Sequence, residues 1–229
     1  MKRGTKNLVN LIFDIVLAVL ITCNLFNYCM KGIQQLSQGI YTEHAFSYYT
    51  TLSNLFVVVA SIIEIVAIVI LILRSKDEIP TWISYVKAIS TITVAVTMFI
   101  IVFAFVGEEN PNVAEFFLGR EMISHVIAPI VAITQFIFFG GEVKGWKVAV
   151  ITLIISSVYM VYYTTNTYIT DTWGKDLYKI WRYGFWTGLI VIFFMACIII
   201  DLGILICSLH KKFTKKYRKY SNEGQKWLN

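Results

Sequence analysis

Six apolar runs, each close to the length of a bilayer span, restrict the fold of this chain more than any other feature. They cover about residues 8–28, 51–73, 83–106, 121–139, 147–163 and 185–209. A membrane helix takes about 20 mostly apolar residues. β-branched residues are common in the runs. The runs are nevertheless too long for barrel strands and lack the alternation that such strands need. In lipid, a helix satisfies its own backbone hydrogen bonds. The expectation is an all-α, polytopic integral membrane protein. It has one six-helix transmembrane domain over residues 1–229, ending in a basic tail at 210–229.

Composition agrees. Hydrophobic residues make up 57% of the chain and charged residues 15%. Soluble domains average about 45–50% and about 25%. The mean hydropathy is +0.68. Disorder is excluded, because it requires low hydrophobicity. A soluble domain would have to hide an apolar excess that its few charges cannot cover. Cys23, Cys29, Cys197 and Cys207 lie in or beside apolar runs, without a C-x-x-C pair or a Cys/His cluster. They read as small buried hydrophobes. The first run follows Lys2, Arg3 and Lys6, but it is too long for a signal-peptide core. It reads as a retained first helix.

Lys and Arg set the orientation. With the loops alternating, 15 of the 20 fall on one side and 5 on the other. The rich side holds Lys2, Arg3, Lys6, Arg74, Lys76, Lys87, Lys144, Lys147 and the tail from Lys211 to Lys226. Both termini are therefore expected in the cytoplasm. The tail directly follows a span, so anionic headgroups are the expected partner rather than nucleic acid. Trp173, Trp181 and Trp186 are expected at headgroup level on the outside.

Polar groups inside a membrane are costly and mark candidate sites. An outer set gathers at one depth: Asn24 and Asn27, the run from Phe46 to Asn54, the run from Gly119 to His125, and Tyr159, Tyr162 and Tyr163. An inner set is sparse: Asp14, Glu64 and Asp201. These three carboxylates can be protonated, paired with Lys87 or Lys147, or part of a proton or ion path.

His125 is the one histidine within an apolar run. A bis-histidine haem and a zinc site both need further ligands. A retinal Schiff base needs a lysine in mid-span, and Lys87 reads as part of the second loop. One imidazole among hydroxyls suits a general base beside a hydroxyl nucleophile. Thr51 and Asn54 are three apart and share a helix face. Thr51 can attack a carbonyl while the Asn54 amide donates to the oxyanion. Glu121 lies four residues before His125 and can fix its tautomer. Arg120 can meet a carboxylate or phosphate. The plainer reading is that these hydroxyls bond back to helix carbonyls and that His125 joins two helices.

The stretch Tyr49-Thr-Thr-Leu-Ser-Asn54 resembles the Tyr-x-Thr-Leu-x-Asn block of the androgen-induced and androgen-dependent membrane hydrolase family. Ser124-His125-Val-Ile-Ala-Pro129 resembles its second block. The spacing F-x-Y-x-T-x-x-S-N and H-x-x-x-P is closer to that family's six-helix bacterial relatives. The resemblance implies a multipass threonine hydrolase acting on fatty-acyl esters, with Thr51 as nucleophile and His125 as its histidine. Thr50 stands beside Thr51 as a second hydroxyl. The family's Gly-x-Trp-x-Tyr-Pro block is only loosely echoed near Trp173 and Tyr178. No metal or organic cofactor is implied, and membrane lipids are the expected partners. Ile, Lys and Asn usage points to a bacterial plasma membrane. The alternatives are a small transporter using Asp14, Glu64 and Asp201, or a non-catalytic lipid-binding protein.

Overall fold

The computed structural model describes residues 3–37, 48–74, 78–105, 122–169, 180–181 and 184–226. The regular elements among them are all helical. They are α1 (Arg3–Ser37), α2 (Tyr49–Leu73), α3 (Thr81–Phe105), α4 (Ala128–Phe139), α5 (Gly145–Thr164) and α6 (Phe185–Lys226). π-helical turns lead into α4 (Ile123–Ile127) and prolong α5 (Thr165–Ile169). The chain is all-α.

Among the described residues, five stretches are long and apolar enough to cross a membrane: Gly4–Asn27, Tyr49–Leu73, Thr81–Phe99, Gly145–Ile169 and Phe185–Lys215. The fourth apolar run forms the shorter Ile123–Phe139. Its expected start, Glu121, lies outside the described residues. Most helix boundaries lie within a few residues of the apolar runs, but α1 continues to Ser37 and α6 to Lys226. Thr81 opens α3 directly after Pro80, and Ile83 N–H donates to the Pro80 carbonyl at 3.0 Å. Gly140 ends α4, its N–H closing on the Phe136 carbonyl at 2.9 Å.

α1, α2, α3 and α4 form a ring, each touching its two neighbours. α5 packs on α3, and α6 packs on α3, α4 and α5. α3 touches four helices and is buried nearly all round over residues 83–97. Hydrogen bonds fix the up-and-down alternation. At one end Lys6 Nζ donates to the Gly140 carbonyl at 3.1 Å, and Lys144 N–H donates to Tyr85 Oη at 3.1 Å. At that end too, His210 Nδ1–H donates to the Ile137 carbonyl at 3.0 Å. Lys6 and His210 thus serve carbonyls that end α4, where a helix welcomes donors and positive charge. At the other end Asn24 of α1 donates to Ser124, and Tyr49 N–H of α2 donates to Tyr159 Oη at 3.1 Å.

The molecule is apolar outside, and its interior combines apolar packing with many buried polar groups. Ile12, Val16 and Val19 of α1 are exposed, as are Ile62, Val66 and Val69 of α2. Ile154, Val158 and Val161 of α5 and Phe193 and Phe194 of α6 are exposed too. Soluble monomers do not expose apolar surface so widely. Small residues set the closest helix contact. A Cβ built on Gly203 of α6 would lie 2.9 Å from the Ala149 Cβ and 3.0 Å from its Cα on α5. Such close approach is how helices associate without a hydrophobic drive between them.

Two sequence expectations change. Lys87 is not a loop residue. It lies two turns inside α3, is 2% exposed and faces Asp14. The orientation count then becomes 14 to 5, in the same sense. Trp181, expected in the headgroup belt, is buried. Its ring stacks on Phe185 and would meet a Gly188 Cβ at 2.3 Å, so it is packed against the mouth of α6. Trp186 is exposed, and Trp173 lies outside the described residues.

Candidate functional site

The four-helix ring has three layers, and each helix crosses them in turn. At one end is a polar layer built from the two motifs. Asn24 of α1 donates to Ser124 Oγ in the π-helical turn. Asn54 Nδ2 of α2 donates to the Ser124 carbonyl at 3.2 Å and to the Thr50 carbonyl at 2.8 Å. Ser53 Oγ donates to the Thr50 carbonyl at 3.0 Å and meets Thr97 Oγ1 of α3 at 2.9 Å. Tyr49 Oη and Ser156 Oγ of α5 pair at 2.9 Å.

Pro129 accounts for one of these bonds. Proline has no amide hydrogen. In the π register, Ala128 N–H reaches the Ile123 carbonyl, five residues back. Residue 129 would serve the Ser124 carbonyl in the same register, and its proline cannot. Asn54 supplies the missing donor. The π turn, the proline and the asparagine thus form one local solution. π turns of this kind are frequent at functional sites.

Thr51 and His125 are both buried in this layer, Thr51 in the first turn of α2 and His125 in the π turn. Thr50 is half-buried. Asn54 is fully buried on the same face of α2 as Thr51. Both hydrogens of its amide are engaged by carbonyls, and its Oδ1 has no hydrogen-bond partner. To donate to an oxyanion, Asn54 must release one of the two. Arg120 and Glu121 lie outside the described residues.

The opposite layer is an ion cluster. Lys87 Nζ of α3 forms a salt bridge with Asp14 Oδ1 of α1, stands 3.6 Å from Glu64 Oε2 of α2, and donates to Ser61 Oγ at 3.0 Å. Asn10 Nδ2 donates to Glu64 Oε1 at 2.6 Å. Gln135 Nε2 of α4 donates to Asn10 Oδ1 at 2.7 Å and to Asp14 Oδ1 at 2.9 Å. Asp14 is 0% and Glu64 3% exposed. The sequence reading named the two carboxylates but not Asn10 or Gln135, which are equally polar inside apolar runs. Lys147 is exposed and lies over the Trp146 ring rather than in the cluster. Asp201 is exposed on α6, apart from the other two acids.

Between the layers lie an apolar cluster and, on α3, the buried hydroxyls of Ser90, Thr91 and Thr93. Leu17 and Ile21 of α1, Val57 of α2, Val94 of α3, and Ala128 and Ala132 of α4 pack together, all buried. On every helix these residues fall between an inner and an outer polar residue. From Asp14 to Asn24 the helix rises about 15 Å. On α3 the hydroxyls of Ser90, Thr93 and Thr97, each bonded to a carbonyl one turn back, run beside this cluster from Lys87 toward Ser53.

Comparison with family models, with curated proteins and with solved structures found no match for the chain.

Proposed function

We propose that the protein is a multipass lipid ester hydrolase of a bacterial plasma membrane, with Thr51 as nucleophile and His125 as base. Both termini lie in the cytoplasm, and the Thr51–His125 layer faces the outer leaflet. The orientation rests on the 14-to-5 distribution of Lys and Arg. One observation carries the catalytic reading. The first turn of α2 and the π turn before α4, which hold the two motifs, are tied together by Asn54 at the Ser124 carbonyl, one residue from His125.

The chemistry needs only these groups and water. Thr51 Oγ1 attacks the ester carbonyl and His125 accepts its proton. The tetrahedral adduct collapses, and the leaving alcohol takes that proton back. Water, deprotonated by His125, then releases the acid from the acyl-threonine. The apolar layer beneath gives acyl chains a lipid-like floor.

The test is hydrolysis of a panel of fluorogenic and branched fatty-acyl esters by purified protein in nanodiscs. Wild type is expected to turn over at least one ester. Thr51→Ala and His125→Ala are expected to lose turnover while Thr50→Ala keeps it. Equal background rates in all four proteins contradict the reading.

A further inference from the structure

The inner cluster is short of positive charge and of donors. It holds two carboxylates and one ammonium, all within the ring and at most 3% exposed. Three of its acceptor oxygens have no hydrogen-bond partner: Asp14 Oδ2, Glu64 Oε2 and Gln135 Oε1. Gln135 is oriented by its own bonds, because its Nε2 faces only acceptors, so Oε1 is the atom left over. A buried acceptor without a donor and a buried net charge are each costly. One added proton cancels the net charge and turns one of the three acceptors into a donor, and it needs no space in a closely packed ring.

The geometry points to a buried one-proton site in which Glu64 carries the proton and Asp14 and Lys87 remain an ion pair. Asp14 Oδ1 receives both the Lys87 ammonium and the Gln135 amide, which makes Asp14 the ammonium's close partner. Glu64 receives one neutral amide, from Asn10, while the ammonium stands 3.6 Å from Oε2, beyond hydrogen-bond distance. Protonated at Oε2, Glu64 becomes a donor among unpartnered acceptors, and the cluster becomes neutral.

Toward the Thr51 and His125 side the cluster is bordered by the apolar residues of the ring and by the α3 hydroxyls Ser90, Thr93 and Thr97. On the other side Asn10 is one turn from Lys6, which reaches Gly140, and His210 packs on the same end of α4. The groups facing the cluster are Asn10 and Asp14 from α1, Ser61 and Glu64 from α2, Lys87 from α3 and Gln135 from α4. Lys6, Glu142 and His210 are titratable groups at that end. This inference is independent of the hydrolase reading, since it uses neither Thr51 nor His125.

Infrared spectroscopy of the protein in nanodiscs at neutral pH tests it. A protonated carboxyl gives a C=O stretch that moves to lower frequency in heavy water. Wild type is expected to show one such band from a buried acid. Glu64→Gln, which keeps the shape and neutrality of the acid, is expected to lose it. Asp201→Asn is expected to retain it. Asn10→Ser removes the donor on Oε1 and is expected to shift the band without abolishing it. A wild-type spectrum without the band overturns the proposal, whether or not Glu64→Gln folds. So does a band unchanged in Glu64→Gln. A band that disappears when sodium is added would give the site to a metal cation instead, and also overturns it.

Discussion

Replacing Lys87 by methionine is the sharpest perturbation of the fold. The side chains have similar length, so packing is largely kept and the charge is removed. Three interactions go: the ion pair with Asp14, the longer approach to Glu64 at 3.6 Å, and the bond to Ser61 at 3.0 Å. Asp14 is 0% exposed, so water cannot replace what is lost. Removing one member of a buried ion pair costs about 3–5 kcal/mol, because the partner charge is stranded. For a chain of this size that is a fall in Tm of about 10 °C, taking soluble-domain scaling. The assay is thermal unfolding in nanodiscs, followed by size exclusion of the heated sample. Asp14→Asn and Glu64→Gln are then added to Lys87→Met. The triple variant has no stranded charge and is expected to recover most of the loss. A Lys87→Met protein as stable as wild type, or a triple variant no better than the single one, would refute the reasoning.

Other expectations follow from individual contacts. Asn54→Ala leaves the Ser124 carbonyl without the Asn54 donor and removes one of the side-chain donors on the Thr50 carbonyl, and is expected to cost about 1–3 kcal/mol; Pro129→Ala, which restores an amide hydrogen, is expected to recover part of it in the double variant, measured by the same unfolding assay. Tyr49→Phe removes the bond to Ser156 at 2.9 Å and is expected to lower stability by about 1 kcal/mol in that assay. Gly203→Val puts a branched side chain against the Ala149 backbone and is expected to destabilise by about 1–3 kcal/mol or more, read as lost monodisperse protein on size exclusion. Asp201→Leu is expected to change stability by no more than about 0.5 kcal/mol, in contrast to Asp14→Leu, because Asp201 is exposed.

The helices were legible because lipid imposes length and hydrophobicity along the chain itself. Each of the six runs read from the sequence coincides with a helix of the structure, most ends agreeing within a few residues, while α1 continues to Ser37 and α6 to Lys226. What lay beyond reach is rotation. Lys87 sits near the start of a span, where a lysine normally belongs to the flanking loop. Nothing in linear order says that it turns inward to meet Asp14, 73 residues away. Asn10 and Gln135 carried a usable signal, a polar residue inside an apolar run, but they were passed over in favour of charged groups. The grouping of Asp201 with Asp14 and Glu64 rested on depth alone, and depth does not say which face of α6 a residue occupies. At the other layer, the motif residues Asn54, Ser124 and Pro129 are adjacent for a backbone reason. The proline removes a donor and the asparagine returns it. Sequence spacing located both motifs but could not show that the Asn54 amide is already in use.

The central claim is that Thr51 becomes acylated with the help of His125. Mass spectrometry of the intact and digested protein, after brief exposure to a turned-over ester or an ester-mimicking phosphonate, tests it most directly. The account predicts one adduct, on Thr51, absent from Thr51→Ala and strongly reduced in His125→Ala. An adduct on Thr50 or on a residue outside this layer, or no adduct during demonstrable turnover, would contradict it.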